Sequence, residues 1–349
     1  MFCLVIWVYF ASQVGDWPCL RGGVEHKGFV SFNPKKPFRV LWARFFPKER
    51  LGTSMEPIVS KGKLYITTHN GNLYCLDAAS GRGLWRFHTR APFIASPSVS
   101  EGVVVAADSS GFVYGLDSSR GALLWFNSDL QGGASASPVL YKGKVFVGSR
   151  NGLFMCLDLK KGSVIWKVTM GAPIRQTPAV YRDRVIFTSE DMTVWCLDVD
   201  RGRIIWRSKP LWGQSARDYY PVMVQRGGKT FCVLRTSPVD LMNQRISEDR
   251  HILCSAAGVD DSSWKKIAQW IVSPEAMGSP EKWLQEQRAV VSYLKRRPEA
   301  QTFFVLELQG GNLQEPPPVL WCGGCQGVGA PPVVLEDGRL FVLFRSAYG

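Results

Sequence analysis

Four tryptophans, Trp85, Trp125, Trp166 and Trp206, recur at spacings of 40, 41 and 40 residues, and each closes a copy of one pattern. The copies occupy residues 71–85 (GNLYCLDAASGRGLW), 111–125 (GFVYGLDSSRGALLW), 152–166 (GLFMCLDLKKGSVIW) and 192–206 (MTVWCLDVDRGRIIW). A fixed period of this length, built from short β-branched and aromatic runs and turns, specifies a repeat architecture. Helical repeats of similar period do not fit, because turn residues interrupt the chain about every 8–12 positions.

Each period reads as four strands. In the third copy, residues 145–147 form a strand, Asn151-Gly152 the hairpin turn, 153–157 the next strand, and Gly162 turns the chain into Val164-Ile165-Trp166. Asn70-Gly71 and Ser110-Gly111 repeat the first turn; Gly81, Gly121 and Gly202 repeat the second. Glycine reaches positive φ without steric cost and so suits both corners. Asp191-Met192 breaks the Xaa-Gly rule, so that turn is expected to differ. Pro57, Pro97, Pro138 and Pro178 mark the start of each set, mostly as Ser-Pro or Thr-Pro, and Pro221 continues the series. Four strands per period of about 40 residues is the arithmetic of a propeller blade.

The expected blades are 57–85, 97–125, 138–166, 178–206, an enlarged fifth at 221–321, and a sixth at 332–349 that the chain does not complete. The fifth holds an insertion over 240–300, with a helix capped by Ser279, carrying Trp283, Val290, Val291 and Leu294 as an apolar stripe and stopped at Pro298. Residues 301–308 (QTFFVLEL) resume the outer strand, with Trp321 as its closing tryptophan. Residues 38–42 (FRVLW) read as a fourth strand ending at Trp42. The fold class expected is therefore an all-β propeller of four-stranded antiparallel blades, an incomplete ring truncated at its C-terminus, with a partly helical insertion.

Composition narrows function less than fold. The formal charge is +13, but Lys and Arg are scattered through loops, and the cluster Lys295-Arg296-Arg297 ends the expected helix, where cations are favoured. A specific nucleic-acid partner is not expected. Among nine cysteines, Cys75, Cys156 and Cys196 share one repeat position and read as small buried residues. Cys322 and Cys325 form a lone CxxC followed by Gln326, which suits a local disulfide or two thiols rather than zinc or haem. Residues 2–10 (FCLVIWVYF) are too short to span a bilayer and suit the apolar part of an export signal over 1–15, which would place the protein in the periplasm or outside the cell.

The repeated Leu-Asp, the glycine four residues on and the closing tryptophan resemble the pyrroloquinoline-quinone-type propeller repeat. Asp16-Trp17-Pro18 with Arg21-Gly22 looks like the start of secreted bacterial members. The family includes quinoprotein alcohol dehydrogenases and a lipoprotein of the outer-membrane assembly machinery. Within it, Trp42, Trp85, Trp125, Trp166, Trp206 and Trp321, Asp77, Asp117, Asp158 and Asp198, and Gly81, Gly121, Gly162 and Gly202 read as scaffold: the rings dock on the neighbouring blade and the carboxylates accept turn amides.

Three functions compete. A dehydrogenase would, by resemblance, stack its quinone on a vicinal disulfide beside calcium, yet the sequence has no adjacent cysteine pair, and no residue is assigned to a cofactor or metal. A channel hydrolase would need carboxylates such as Asp108 and Glu190, which read instead as solvated loop residues. The leading expectation is a non-catalytic envelope scaffold binding protein or glycan partners, with Trp264, Trp270 and Trp283 as the candidate partner surface.

Overall fold

The computed structural model describes residues 16–29, 40–52, 55–213, 220–236 and 303–314, with a few flanking positions and two short strands beyond. Blade 1 comprises β1 (Ile58–Ser60), β2 (Lys63–Thr67), β3 (Asn72–Asp77) and β4 (Gly83–His88), and blade 2 comprises β5 (Ser98–Ser100), β6 (Val103–Ala107), β7 (Val113–Asp117) and β8 (Leu123–Asn127). Blade 3 holds β9 (Val139–Tyr141), β10 (Lys144–Gly148), β11 (Leu153–Asp158) and β12 (Val164–Thr169), and blade 4 holds β13 (Ala179–Tyr181), β14 (Arg184–Thr188), β15 (Val194–Asp198) and β16 (Ile204–Arg207). A fifth sheet joins β17 (Val222–Arg226), β18 (Lys229–Arg235) and β19 (Phe303–Glu307); β20 (Val333–Val334) pairs with β21 (Leu340–Phe341). In each four-stranded sheet the strand order follows the chain, and the registered pairs are antiparallel. The fold is an all-β propeller type.

Residues 1–189 and 195–205 form one compact unit, and 190–194 and 206–349 a second. In the first unit the core lies between successive blades. One cluster joins Val105 and Val113 of blade 2 to Val145, Met155 and Leu157 of blade 3; another joins Phe146 and Phe154 of blade 3 to Val185 and Phe187 of blade 4. Strands buried on both faces explain why β6 reads as an uninterrupted VVVAA run rather than an alternating one. The second unit packs Val222, Val233, Phe303 and Val305.

A bulge falls between β3 and β4, between β7 and β8 and between β11 and β12, each time just before the Leu of Leu-Asp. A bulge sharpens the local twist at that point in the outer strands.

Two expectations are corrected. Met192 takes φ 66 where Gly152 takes φ 79, and its carbonyl accepts from Leu211 N as that of Gly152 accepts from Met170 N, so the fourth copy keeps the turn despite lacking glycine. Residues 40–42 form no strand. Among the described residues no strand pairs with this segment, and an FRVLW pattern without a partner does not define one. Residues 1–15, the expected helix, Trp264, Trp270, Trp283, Trp321, Cys322 and Cys325 lie outside the described residues.

Candidate functional site

The repeat motif builds a latch between consecutive blades. The carboxylate oxygen Oδ1 of Asp77 accepts from Ser80 N at 2.8 Å, that of Asp117 from Arg120 N at 2.8 Å, that of Asp158 from Lys161 N at 2.8 Å and that of Asp198 from Arg201 N at 2.7 Å. The glycine four residues on donates its N–H back to the Asp carbonyl, 2.8 Å at Gly162, and takes positive φ, 68° there. Each turn then presents a bare Cα and an outward carbonyl to the tryptophan of the preceding blade.

The tryptophan Nε1 atoms donate to those carbonyls: Trp42 to Ala78 O at 3.0 Å, Trp85 to Ser118 O at 3.3 Å, Trp125 to Leu159 O at 2.9 Å and Trp166 to Val199 O at 3.1 Å. In the second unit Trp206 donates to Leu308 O at 2.8 Å, where Glu307 stands in the Asp place. The rings lie flat against Gly81, Gly121, Gly162, Gly202 and Gly311 in turn. Glycine is required twice over at these corners, by its φ and by the ring. Trp42 joins the series from a segment without strand structure.

Acid should weaken the turns. Ser80, through its hydroxyl and then its amide, holds the Asp77 carboxyl below the usual carboxylate range, and the Ser119 hydroxyl followed by the Arg120 amide lowers Asp117. A lowered folded-state value stabilises above the ordinary carboxylate range and is lost as pH falls through the folded value. The stability gap between wild type and Asp77→Asn, measured by urea titration, should be widest near neutral pH and close on acidification. A gap independent of pH would remove the carboxylate from the turn's energetics.

The loops between second and third strands hold a second set of contacts. Asp108 is buried, not solvated as the sequence suggests. Its Oδ1 accepts from Ser110 N, Gly111 N and Phe112 N, and its Oδ2 accepts from Tyr114 Oη at 2.9 Å. In blade 1 the repeat-equivalent Tyr74 donates instead to Glu49 Oε1 at 2.7 Å, which also takes Asn72 Nδ2 at 2.7 Å. In blade 4 Trp195 Nε1 donates to Ser189 Oγ at 2.7 Å. The acceptor thus changes from blade to blade, while the tip is tyrosine in blades 1 and 2 and tryptophan in blade 4. In blades 1 and 2 the carboxylates of Glu49 and Asp108 satisfy these tips. Glu190 accepts from Ser215 Oγ at 3.1 Å.

A third set was not read from the sequence. In blades 2 to 4 the residue before the blade-opening proline links to the preceding blade by its hydroxyl: Glu56 N donates to Ser96 Oγ at 2.7 Å, Ser96 N to Ser137 Oγ at 3.0 Å and Ser137 N to Thr177 Oγ1 at 3.0 Å. Its signal, Ser-Pro or Thr-Pro at the repeat period, is visible in the sequence, but its inter-blade role is not. Cys75, Cys156 and Cys196 are free and fully buried, and burial pushes each thiol up to about 12, so no thiolate nucleophile is available there at neutral pH. Among the described residues no group of His, Cys, Asp or Glu is placed to hold a metal ion, and no helix is long and apolar enough to cross a membrane.

A family model described as outer membrane protein assembly factor BamB matches residues 38–134 and 110–231, more than half of the chain. The chain belongs to this family of quinone-type propeller repeats. Among curated proteins it is 27% identical over 149 residues to outer membrane protein assembly factor BamB of Yersinia pestis, covering 38% of this chain and 37% of that protein. It is 29% identical over 119 residues to the beta-alanine-activating enzyme of Danio rerio, covering 32% of this chain and 10% of that protein. The chain therefore spans well under half the length of these relatives. A europium-containing methanol dehydrogenase aligns with TM-score 0.52 at 14% identity, over 66% of this chain and 56% of that one, a likeness of fold.

Proposed function

We propose that this chain is a non-catalytic propeller scaffold of the bacterial cell envelope, holding protein or glycan partners through its loops and blade faces. The observation that carries this reading is the latch. Of the residues repeated most strictly, Trp and Gly meet across blades and Asp braces the turn that presents the glycine, which makes the repeat a device for rigidity. Membership of a family described by an assembly factor supports a protein partner and an envelope location.

Two measurements on the purified chain test this. Fluorescence anisotropy with an unfolded outer-membrane barrel protein as probe should show saturable binding, and equilibrium dialysis with calcium and pyrroloquinoline quinone should show no retention above a carrier-protein control. Submicromolar quinone binding without barrel binding would replace the scaffold by the dehydrogenase reading.

The likeness to the beta-alanine-activating enzyme supports a second reading, a propeller module within a larger enzyme. Its identity is similar to that of the assembly factors, and Cys19, Cys75, Cys156 and Cys196 are unbridged and buried, as suits a reducing compartment. Loss of folding in oxidising but not reducing buffer would favour it.

A further inference from the structure

The first strand of each blade turns its outer N–H and C=O groups away from its own sheet, on the side where a propeller has its channel. In blades 1, 2 and 4 these groups are taken by one segment of the same chain. Trp17 N donates to Val59 O at 2.7 Å and Val59 N to Trp17 O at 2.9 Å; Val99 N donates to Pro18 O at 2.7 Å and Val180 N to Val24 O at 2.8 Å. Val59, Val99 and Val180 are the middle residues of β1, β5 and β13.

The segment is fastened by a residue that departs from the repeat. Where blades 2 to 4 carry Ser96, Ser137 and Thr177 before the proline, blade 1 carries Glu56. Its Oε2 accepts from Trp17 Nε1 at 3.2 Å and from Arg21 N at 2.9 Å, and Arg21 Nη1 lies 3.8 Å from Oε1. Asp16 accepts from Lys61 N at 2.9 Å at the other end. Inside the segment the chain doubles back at Arg21 and Gly22, with φ of 60° and 75°, and a Cβ on Gly22 would lie 2.7 Å from the Trp17 ring. Trp17 packs on the core between blades 1 and 2, and Val24 on the core between blades 3 and 4.

We propose that residues 16–28 are a built-in strap that seals the channel-side edges of blades 1, 2 and 4, with Glu56 as its anchor, so that this side of the repeat is furnished by the chain itself instead of by a small-molecule cofactor. A ligand in the channel would have to displace three edge hydrogen-bond sites and two packed side chains. The inference goes beyond the scaffold reading, since a strap is compatible with any partner on the outer loops.

Hydrogen exchange and thiol labelling, read residue by residue by mass spectrometry, test it. Cys19, inside the strap, is buried, and burial followed by the Glu56 charge pushes its thiol up to about 12. In the unaltered chain the Val99 and Val180 amides should be protected and Cys19 inert to iodoacetamide. Glu56→Ala and Trp17→Ala should each speed both processes at least about tenfold, while Cys156 in the blade 3 core stays unlabelled. Cys19 labelling in the unaltered chain at the rate of an exposed thiol, or unprotected Val99 and Val180 amides, would overturn the strap even if neither variant folds.

Discussion

Trp125→Ala should cost about 3–5 kcal/mol of unfolding free energy, the cost of truncating a buried aromatic. Its ring is 7% exposed and packs in the core shared by blades 2 and 3. Truncation also leaves the Leu159 carbonyl, which accepts its Nε1 at 2.9 Å, without its donor inside that core. Trp85 is half-buried and its bond to Ser118 O is longer, 3.3 Å, so Trp85→Ala should cost clearly less. Guanidinium titration of the pair measures both. A Trp125→Ala loss below about 1 kcal/mol, or no difference from Trp85→Ala, would mean that the latch does not hold the blades together.

Gly162→Ala should cost about 2–5 kcal/mol, from two sources. The left-handed backbone at φ 68° penalises any L side chain by about 1–2 kcal/mol. The new methyl would also lie 2.3 Å from the Trp125 ring, an overpacking of about 1–3 kcal/mol. A double-mutant cycle separates them, because in a Trp125→Ala background only the backbone penalty remains. Gly143→Ala is the control: it has φ 70° and open space around its Cα, so it should show the backbone cost alone. Equal costs at Gly143 and Gly162, or strict additivity with Trp125→Ala, would remove the ring contact from the account.

Gly162 lies four positions before Trp166 in the repeat yet meets Trp125 of the preceding blade, which separates the legible part of the molecule from the rest. Strand positions, turns and the latch residues were legible because each depends on local chemistry repeated at a constant period. Alternation and glycine placement fix the hairpins within one period, and a residue recurring every 40 positions must make the same contact each time. The Met192 turn was misread because side chains can take positive φ when the surrounding strands enforce it. Asp108 was misread because its exposure depends on Tyr114, which folds over it from the following strand.

The sequence by itself determined a propeller-type repeat, its four-stranded blades and the residues that latch them. Only the tertiary structure decided what lies along the channel side. Trp17 and Val59, or Val24 and Val180, are joined by backbone groups that every residue carries, across separations with no periodicity. Contacts of that kind leave no mark on composition or spacing, so they emerge only when the chain has folded back across its own blades.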